Sequence, residues 1–351
     1  MKEYDLMFVL PMPTMRIVGG YKMVYEYANY ISKKGYKVCI MYNGCKGNNS
    51  RNFPRWIVYA IRKFLGFFGP TWFKLDKHID KKVIPSFDVK KIPKTKRIVA
   101  TTAVSSRFIN RLKIDAKKYY FIQDFENWEI SDEEVIETYK YDMTKITVAK
   151  WLKNKVDNNS MDKAIYIPNG LNTKVFRMIK KTGERYPHSI SMLYHLDERK
   201  GVDIGFRVIN KLKKIYPDLV VNMFGSFDKD EQWPEWIKYT KNASPEQVSE
   251  IMNDSRVFLC TSRIEGYGLT GLESLFCGCS LVSTNCRGVL DYASEKSALI
   301  CDVDDVENLT KCVSKVFEED IGEKMHCEFE KYKNVYDIES SKEKFYEVLI
   351  G

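Results

Sequence analysis

Residues 262–273 of this 351-residue chain place two carboxylates around a glycine-rich loop. An apolar strand is expected over Arg256–Cys260, and a short helix from about Thr270 to Cys277. Glu265 precedes the loop, and Glu273 lies on the first turns of the helix. A helix N-terminus has backbone N–H groups without intrahelical partners, and its dipole favours negative charge. A phosphate there, with a hydroxyl-binding carboxylate on either side, is chemistry suited to a nucleotide sugar.

A purely structural interpretation of the same residues also stands. Glycines before a helix often only make a tight turn, and a short glycine motif alone is weak evidence for a ligand. Glutamate in a first helical turn complements the helix dipole without any ligand. The spacing alone therefore leaves both interpretations open.

The whole stretch from Leu259 to Tyr292 resembles the donor-binding core of the family 4 glycosyltransferases. That family has the pattern S-x-x-E-G-F-G, a hydrophobic residue, x-x-x-E-A-x-A-x-G-x-P, a hydrophobic residue and valine. The chain departs from it with Ser274 and Phe276 for the two alanines and Ser280 for the proline. The resemblance implies a glycosyltransferase whose donor is a nucleotide diphosphate sugar.

Roles for individual residues follow from this resemblance. Glu273 would hold the ribose hydroxyls, and Glu265 the hydroxyls of the donor sugar. The backbone N–H groups that would cradle the phosphate belong to Gly268, Leu269 and Thr270. Gly225, at the end of a strand expected over Leu219–Phe224, is assigned to the same donor site.

Two adjacent cations, Arg199 and Lys200, follow another expected strand, Ser191–Tyr194. Beside a helix start they could neutralise a leaving diphosphate. A solvated surface pair is the competing interpretation in a chain with 56 basic residues. Residues 195–203 resemble the family pattern G-R-L-x-x-x-K-G-x-D, which implies a diphosphate contact. The match is closer for Lys200 than for Arg199, because the family's arginine position falls near His195, which we interpret as a local polar residue.

Gly19 and Gly20 stand between the first expected strand and a helix expected over about Tyr21–Lys34. They either only make the turn or let a ligand approach the backbone closely. Together with residues 26–28 and 35–36, they resemble the opening of the same family, G-G-x-x-x-x-x-x-E-L-A-x-x-L-x-x-x-G-H. There the glycine loop faces the donor diphosphate across the interdomain cleft, so the resemblance assigns both glycines to donor binding.

Residues 121–128 place polar side chains just after a strand expected over Tyr119–Ile122. Residues beyond the carboxyl ends of strands in an open sheet face the ligand crevice. The segment resembles the Y-F-x-Q-D-x-E stretch of a family subset that includes rhamnosyltransferases, which favours dTDP-rhamnose as donor. Asp124 or Glu126 is expected to meet the acceptor hydroxyl, and a helix N-cap is an equal alternative for Asp124.

Residues 55–74 combine many aromatic side chains with flanking cations. This composition is typical of an interfacial segment that inserts shallowly beside anionic lipid headgroups. A helix buried in the N-terminal domain is the competing interpretation, and the sequence does not separate the two. If the acceptor is a polyprenyl-linked glycan, residues 55–74 are expected to contact the membrane.

The bulk composition is that of a folded protein of about two domains. Hydrophobic residues make up 44%, and Lys and Arg exceed Asp and Glu by nine. That excess suits a phosphate-bearing partner but does not select nucleotide, nucleic acid or anionic lipid. The nine scattered cysteines predict reduced thiols and a cytoplasmic protein. Neither a signal peptide nor an apolar membrane span is expected.

Strands and helices alternate through both halves of the sequence, which is typical of parallel α/β sheets. The other expected strands are Leu6–Leu10, Lys37–Met41, Arg97–Ala100, Lys145–Val148, Lys163–Ile167, Leu281–Ser283 and Leu299–Ile300. The pattern predicts two Rossmann-like domains, residues 1–170 and 171–327. The resemblance implies that the C-terminal segment 328–351, with a last helix at about Ser340–Leu349, packs back on the first domain. The resemblance implies the GT-B arrangement, in which two such domains face each other across a cleft.

No metal or other cofactor is expected. The pairs Asp228/Asp230 and Asp302/Asp304 have the D-x-D spacing of another glycosyltransferase fold, but we do not interpret either as a metal site. Asp304 is expected instead to start a helix that runs through Phe317.

The sequence thus predicts a glycosyltransferase that moves a hexose or deoxyhexose to a glycan or polyprenyl-linked acceptor in surface polysaccharide assembly. Retention of anomeric configuration and metal independence are implied by the resemblance, and the cytoplasmic face of a membrane is the expected location. A nucleotide-sugar 2-epimerase on the same fold is an alternative, which the presence of only four histidines disfavours. A non-catalytic binder of nucleotide sugars or nucleic acid is another, although no nucleic-acid-binding motif supports it.

Overall fold

The computed structural model describes residues 3–44, 54–85, 92–229, 232–319 and 321–351. It divides into two compact units, Met1–Pro168 with Ser341–Gly351 and Asn169–Ser340. The boundary lies two residues before the expected one at 170. The C-terminal segment that belongs to the first unit is Ser341–Gly351, whereas the expectation was residues 328–351 with a last helix at about Ser340–Leu349.

The elements alternate along the described chain as the apolar pattern predicts. The strands are β1 (Glu3–Tyr4), β2 (Leu6–Leu10), β3 (Val38–Asn43), β4 (Asp80–Ile84), β5 (Lys94–Thr95), β6 (Arg97–Ala100), β7 (Lys117–Ile122), β8 (Thr144–Thr147), β9 (Ile165–Tyr166), β10 (Ser189–Tyr194), β11 (Val220–Gly225), β12 (Ile237–Lys241), β13 (Val257–Cys260), β14 (Ser280–Thr284) and β15 (Ala298–Cys301). The helices are α1 (Gly19–Lys33), α2 (Arg55–Phe68), α3 (Ala103–Asn110), α4 (Asp132–Thr138), α5 (Lys150–Asp157), α6 (Val202–Ile215), α7 (Pro245–Asn253), α8 (Leu269–Phe276), α9 (Val306–Glu318), α10 (Gly322–Glu330) and α11 (Ile338–Ile350).

The first unit is built on a seven-stranded sheet in the order β4-β3-β2-β6-β7-β8-β9, with β1 and β5 paired separately. All of its strand pairs are parallel. Counted along the chain within this sheet, the order is 3-2-1-4-5-6-7, which extends the doubly wound Rossmann order by one strand. The order reverses between β2 and β6. Every side chain of β2 is buried, as expected for a strand covered by helices on both faces.

The second unit repeats this plan with six parallel strands in the order β12-β11-β10-β13-β14-β15. Counted along the chain, this is the 3-2-1-4-5-6 Rossmann order, and it reverses between β10 and β13. The helices α6 and α9 pack on this sheet and share its core, in which Val208, Leu212, Leu309 and Val313 are fully buried. Two Rossmann-like units are therefore confirmed.

The final helix, α11, completes the core of the first unit. The ring of Phe345 stacks on Tyr27 of α1 with centroids 4.0 Å apart, and it meets Phe121 of β7 edge-on at 5.1 Å. The ammonium of Lys34 pairs with the carboxylate of Glu343 at 3.0 Å. The chain end is thereby fixed to the unit that contains the chain start.

Among the described helices, none has both the length and the apolar character needed to cross a bilayer. The cysteines that the structure describes are not joined by disulfide bonds.

Candidate functional site

The carboxyl ends of β10 and β13 lie side by side where the strand order of the second unit reverses. In open α/β sheets, ligands bind in the crevice outside the strand ends at such a switch point. A single 3₁₀ turn, Glu198–Lys200, follows β10, and the glycine-rich loop follows β13. This topology brings together Lys200 and Glu265, which the sequence had assigned to one site.

Lys200 and Glu265 form an ion pair at this point. The Nζ of Lys200 donates to both carboxylate oxygens of Glu265, each at 2.8 Å. The hydroxyl of Ser262 donates to Oε1 of the same carboxylate at 2.7 Å. Glu265 is only 9% exposed, and a charge at that depth requires such partners. Ser262 belonged to the recognised motif, but the sequence had not indicated that it orients Glu265.

The turn that carries Lys200 is fastened to the end of β13 through Gly201. Its φ is 58°, and a Cβ atom at this position would lie 1.9 Å from the carbonyl oxygen of Thr261. The hydroxyl of Thr261 donates to the carbonyl of Gly201 at 2.7 Å. The N–H of Arg263 donates to the carbonyl of Arg199, also at 2.7 Å. Glycine alone fits this approach, so Gly201 sets the position of Lys200.

Glu265 is also held by the segment after β14. Its N–H donates to the carbonyl of Cys286 at 2.9 Å. The next residue, Arg287, has a φ of 67°, in the left-handed region that non-glycine residues rarely occupy. Such a conformation costs on the order of 1–3 kcal/mol and is concentrated at functional sites. The surrounding contacts therefore hold a strained backbone beside the buried carboxylate.

Gly268, whose φ is 82°, is the residue before helix α8, and no described side chain caps the helix. The hydroxyl of the buried Tyr292 donates to the carbonyl of Gly268 at 2.6 Å. A Cβ atom at Gly271 would lie 2.4 Å from the same hydroxyl. Thr270 and Lys200 line one small depression at the ends of β10 and β13. The first amides of α8, which include those of Leu269 and Thr270, are thus available to an anion beside a cation.

Arg263 also stabilises the turn Glu198–Lys200, because its guanidinium donates to the carbonyl of Glu198 at 2.6 Å. Its guanidinium pairs with Asp203 at 2.8 Å and with Asp304 at 2.8 Å. The hydrogen bond from Arg263 lowers the pKa of Asp203. The expectation that Asp304 starts the following helix is wrong, because Asp305 caps α9 by accepting from the N–H of Asn308 at 3.0 Å.

The other D-x-D pair gives no cluster either. Asp228 pairs with Lys241, and Asp230 lies outside the described residues. Within the described ranges, no group of three or more His, Cys, Asp or Glu side chains could hold a metal ion.

Arg199, the residue before Lys200, forms an ion pair of its own. Its guanidinium pairs with Asp197 at 2.7 Å, and this hydrogen bond lowers the pKa of the aspartate. His195 accepts a hydrogen bond from the N–H of Asp197 at 2.9 Å. Burial, together with the nearby Lys200, lowers the pKa of His195. These contacts stabilise the turn, and a diphosphate contact for Arg199 remains a prediction.

Glu273 and Gly225 also have structural surroundings that the sequence did not reveal. Glu273 is buried on the second turn of α8. A Cβ atom at Gly225 would lie 2.3 Å from the carbonyl oxygen of Tyr194, so the neighbouring strand alone requires glycine there. Their roles in ribose and donor binding remain predictions.

In the first unit, Gly19 and Gly20 form the first turn of α1 rather than a loop before it. A Cβ atom at Gly20 would lie 3.3 Å from the side-chain amide of Gln123. Oδ1 of Asp124 accepts from the N–H of Phe125 at 2.8 Å. The N-cap of α4 is Ser131, so Asp124 does not cap that helix. Its meeting with an acceptor hydroxyl remains a prediction.

Glu126, the other acceptor-side candidate, is buried instead at the start of α3. It accepts from the N–H of Ala103 at 2.5 Å, and burial raises its pKa well above the ordinary value. The carboxyl therefore stays protonated in the folded chain at pH values where the unfolded chain has lost the proton. Its contribution to stability falls as pH rises from the unfolded pKa towards the folded one.

Glu126→Gln is accordingly expected to raise the melting temperature at a pH of about 8 and to leave it nearly unchanged near pH 4, below the ordinary carboxyl pKa. The amide keeps the acceptor for Ala103. A gain of a few degrees corresponds to about 1 kcal/mol in a chain of this size. Thermal unfolding at both pH values measures it, and an identical shift at both would contradict the assignment.

Part of the chain is similar in sequence to known glycosyltransferases. Residues 178–334 match the family model described as "Glycosyl transferases group 1". An uncharacterized glycosyltransferase of Methanocaldococcus jannaschii is 26% identical over 164 residues, which cover 43% of this chain and 44% of that protein. A phosphatidyl-myo-inositol mannosyltransferase of Propionibacterium freudenreichii is 26% identical over 143 residues, 39% of this chain and 36% of that protein. The aligned part thus spans less than half of either relative.

Among solved structures, HepE of Anabaena in complex with UDP and glucose superimposes with a TM-score of 0.72. The match covers 99% of both chains at 12% identity. This likeness concerns the fold alone, and it agrees with the two Rossmann-like units expected from the sequence. Residues 178–334, which contain the Lys200–Glu265 pair and the start of α8, are thus the part of the chain that is similar to the glycosyltransferase group 1 family.

Proposed function

We propose that this protein transfers a hexose or deoxyhexose from a nucleotide diphosphate sugar to an acceptor hydroxyl. The observation that carries the proposal is the Lys200–Glu265 pair beside the uncapped start of α8, at the switch point of the second sheet. A cation and helix N–H groups suit the diphosphate, and an oriented carboxylate suits sugar hydroxyls.

Each residue has a defined task in this proposal. The amides of Gly268, Leu269 and Thr270 hold the diphosphate. Lys200 neutralises the charge that develops on the diphosphate as the bond from the sugar breaks. Glu265, held by Ser262, accepts hydrogen bonds from the donor sugar. Glu273 holds the ribose, and the anomeric configuration is retained without a metal.

Two of the similar proteins support the choice of substrates. HepE was solved with UDP and glucose, and one curated relative is a mannosyltransferase that acts on a phosphatidyl-myo-inositol. We extend this to a hexose donor and a glycan or lipid-linked acceptor for this chain. The rhamnosyltransferase-like segment around Asp124 adds dTDP-rhamnose to the donors worth testing.

The test is a panel of UDP-, GDP- and dTDP-sugars incubated with the protein, with release of the nucleoside diphosphate as the readout. We expect one donor to be consumed, and faster with a lipid-linked or glycan acceptor present. Proton NMR of the product then shows whether the anomeric configuration is retained. A sugar inverted at C2 without any acceptor would favour the 2-epimerase, and no turnover with any donor would contradict the proposal.

A further inference from the structure

Helix α2 turns its apolar side chains outward. Trp56, Phe64 and Phe67 are 72%, 63% and 74% exposed, and Ile61 and Phe68 are also exposed. The rings of Phe64 and Phe68 lie 4.6 Å apart, and those of Phe67 and Phe68 lie 5.0 Å apart. A surface helix ordinarily buries its apolar stripe and shows a polar face to water. The interpretation of residues 55–74 as a buried helix is therefore wrong for α2.

The opposite side of α2 fixes the helix to the first unit. Gly66 lies so close to β4 that a Cβ atom there would be 2.4 Å from the side chain of Val83. Val58 is buried, and the hydroxyl of Tyr59 donates to the carbonyl of Val83 at 3.3 Å. The guanidinium of Arg62 donates to the carbonyl of Asn43. The outward rings are thus presented by an anchored helix.

The loop after β2 extends the same surface. A Cβ atom at Gly66 would lie 3.8 Å from the side chain of Pro13, and one at Gly69, just after the helix, would lie 3.1 Å from the sulfur of Met15. Pro13 is buried, whereas Met12 and Met15 of this loop are exposed. We define the apolar face as the exposed side chains Met12, Met15, Trp56, Ile61, Phe64, Phe67 and Phe68.

The positive charge of the chain is concentrated in the same part of the sequence. Residues 1–100 contain 20 Lys and Arg against 6 Asp and Glu, a net charge of +14. The remaining residues contain 36 Lys and Arg against 41 Asp and Glu, a net charge of −5. The two carboxylates nearest in sequence to α2 both accept hydrogen bonds from other residues. Asp76 accepts from the N–H of His78, and Asp80 accepts from the hydroxyl of Tyr4. The residues of the apolar face therefore all belong to the strongly basic part of the sequence.

We infer that the apolar face inserts shallowly into the surface of an anionic lipid bilayer. Large rings with flanking cations match an interface in which apolar side chains enter the acyl boundary and cations meet lipid phosphates. A nucleic acid would satisfy the cations but leave the aliphatic and methionine side chains in water. The inference does not depend on the sugar-transfer proposal. If the acceptor is lipid-linked, binding to the bilayer would bring it close to Gly19, because the loop after β2 leads directly into that residue.

Co-sedimentation of the full chain with lipid vesicles, without any nucleotide sugar, tests this inference. Vesicles of phosphatidylcholine with about 30% phosphatidylglycerol are expected to bind, phosphatidylcholine alone much less, and salt is expected to weaken the binding. The double substitution Phe64→Ser with Phe67→Ser is expected to lower the affinity about tenfold or more. Lys63→Gln is expected to lower it about fivefold, the equivalent of ~1 kcal/mol for one cation.

Matched controls replace exposed apolar residues outside the apolar face. Trp128 and Met161 are 53% and 98% exposed, and substituting serine for either should leave vesicle binding unchanged. All variants should keep the wild-type melting temperature, because none of the substituted side chains is buried.

Three results would overturn the inference. The first is binding that is equal with and without phosphatidylglycerol, or unaffected by the double substitution. The second is a dimer, detected by light scattering, that dissociates in the doubly substituted protein. That result would make the apolar face an interface between two copies of this chain. The third is binding to RNA or DNA but to neither vesicle.

Discussion

Glu265→Gln is expected to lower the kcat of sugar transfer by about 10²–10³-fold, the usual effect of removing one preorganised electrostatic group. Glutamine keeps the volume and can still accept from Ser262, but it removes the charge opposite Lys200. The donor hydroxyls would meet a weaker, neutral acceptor. Because the Lys200–Glu265 pair is largely buried, we also expect a loss of stability of about 1–3 kcal/mol. Steady-state kinetics and thermal unfolding of the same preparation measure both effects.

A second Lys–Glu pair in the same unit provides the control. Lys211 of α6 pairs with Glu307 of α9, and both side chains are largely exposed. Lys211→Met should leave kcat unchanged and cost no more than about 1 kcal/mol of stability, since surface ion pairs contribute little. Glu265→Gln with kcat within about twofold of the wild type would remove Glu265 from the site, because even one lost donor or acceptor in such a site has a larger effect.

Gly201→Ala is expected to destabilise the second unit by about 3 kcal/mol or more and to abolish donor binding. The left-handed conformation alone costs a non-glycine residue about 1–2 kcal/mol. The added methyl would also lie 1.9 Å from the carbonyl oxygen of Thr261, so the turn and β13 would have to separate. That separation would move Lys200 away from Glu265. Circular dichroism on heating and a nucleotide-binding assay measure the two effects.

Gly183→Ala in the same unit separates this effect from the general cost of replacing glycine. Gly183 has no positive φ, and an added Cβ atom would meet no described atom within 4 Å. Its stability should equal that of the wild type or exceed it slightly, by about 0.4–1 kcal/mol. A melting temperature for Gly201→Ala that matched this control would show that the close approach to Thr261 is dispensable.

The buried elements were predictable from the sequence because their apolar patterns are uninterrupted. The strands Leu6–Leu10 and Arg97–Ala100 have the bounds expected from the sequence. The edge strand β4 and the edge strand β12 were missed. Asp80, Lys81 and Lys82 in β4 and the lysines at 238 and 241 in β12 give no buried-strand pattern, because an edge strand is only partly covered.

The periodicity of α2 shows an apolar face but not whether anything covers it. Coverage depends on where β4 and the loop after β2 lie, which are contacts distant in sequence. The same limit explains the open alternatives for residues 55–74.

In the site, the glycine-rich loop and Lys200 were predictable from their motifs. The contact between Lys200 and Glu265 was not predictable, because the two residues are 65 positions apart in the sequence. They meet only because β10 and β13 are neighbours in the sheet. Spacing also could not show that Arg199 pairs with Asp197, two residues before it. Glu126 looked like an acceptor-site carboxylate, yet burial at the start of α3 gives it a structural contact that no local pattern reveals.

The most direct test of the donor site is calorimetric titration of the wild type and Lys200→Met with a nucleoside, its monophosphate, its diphosphate and the matching diphosphate sugar. We expect affinity to rise sharply at the diphosphate and to fall about tenfold or more in Lys200→Met, as for loss of a charge-assisted contact. Equal affinity for nucleoside and nucleoside diphosphate, or unchanged binding in Lys200→Met, would contradict a diphosphate site at Lys200 and the start of α8.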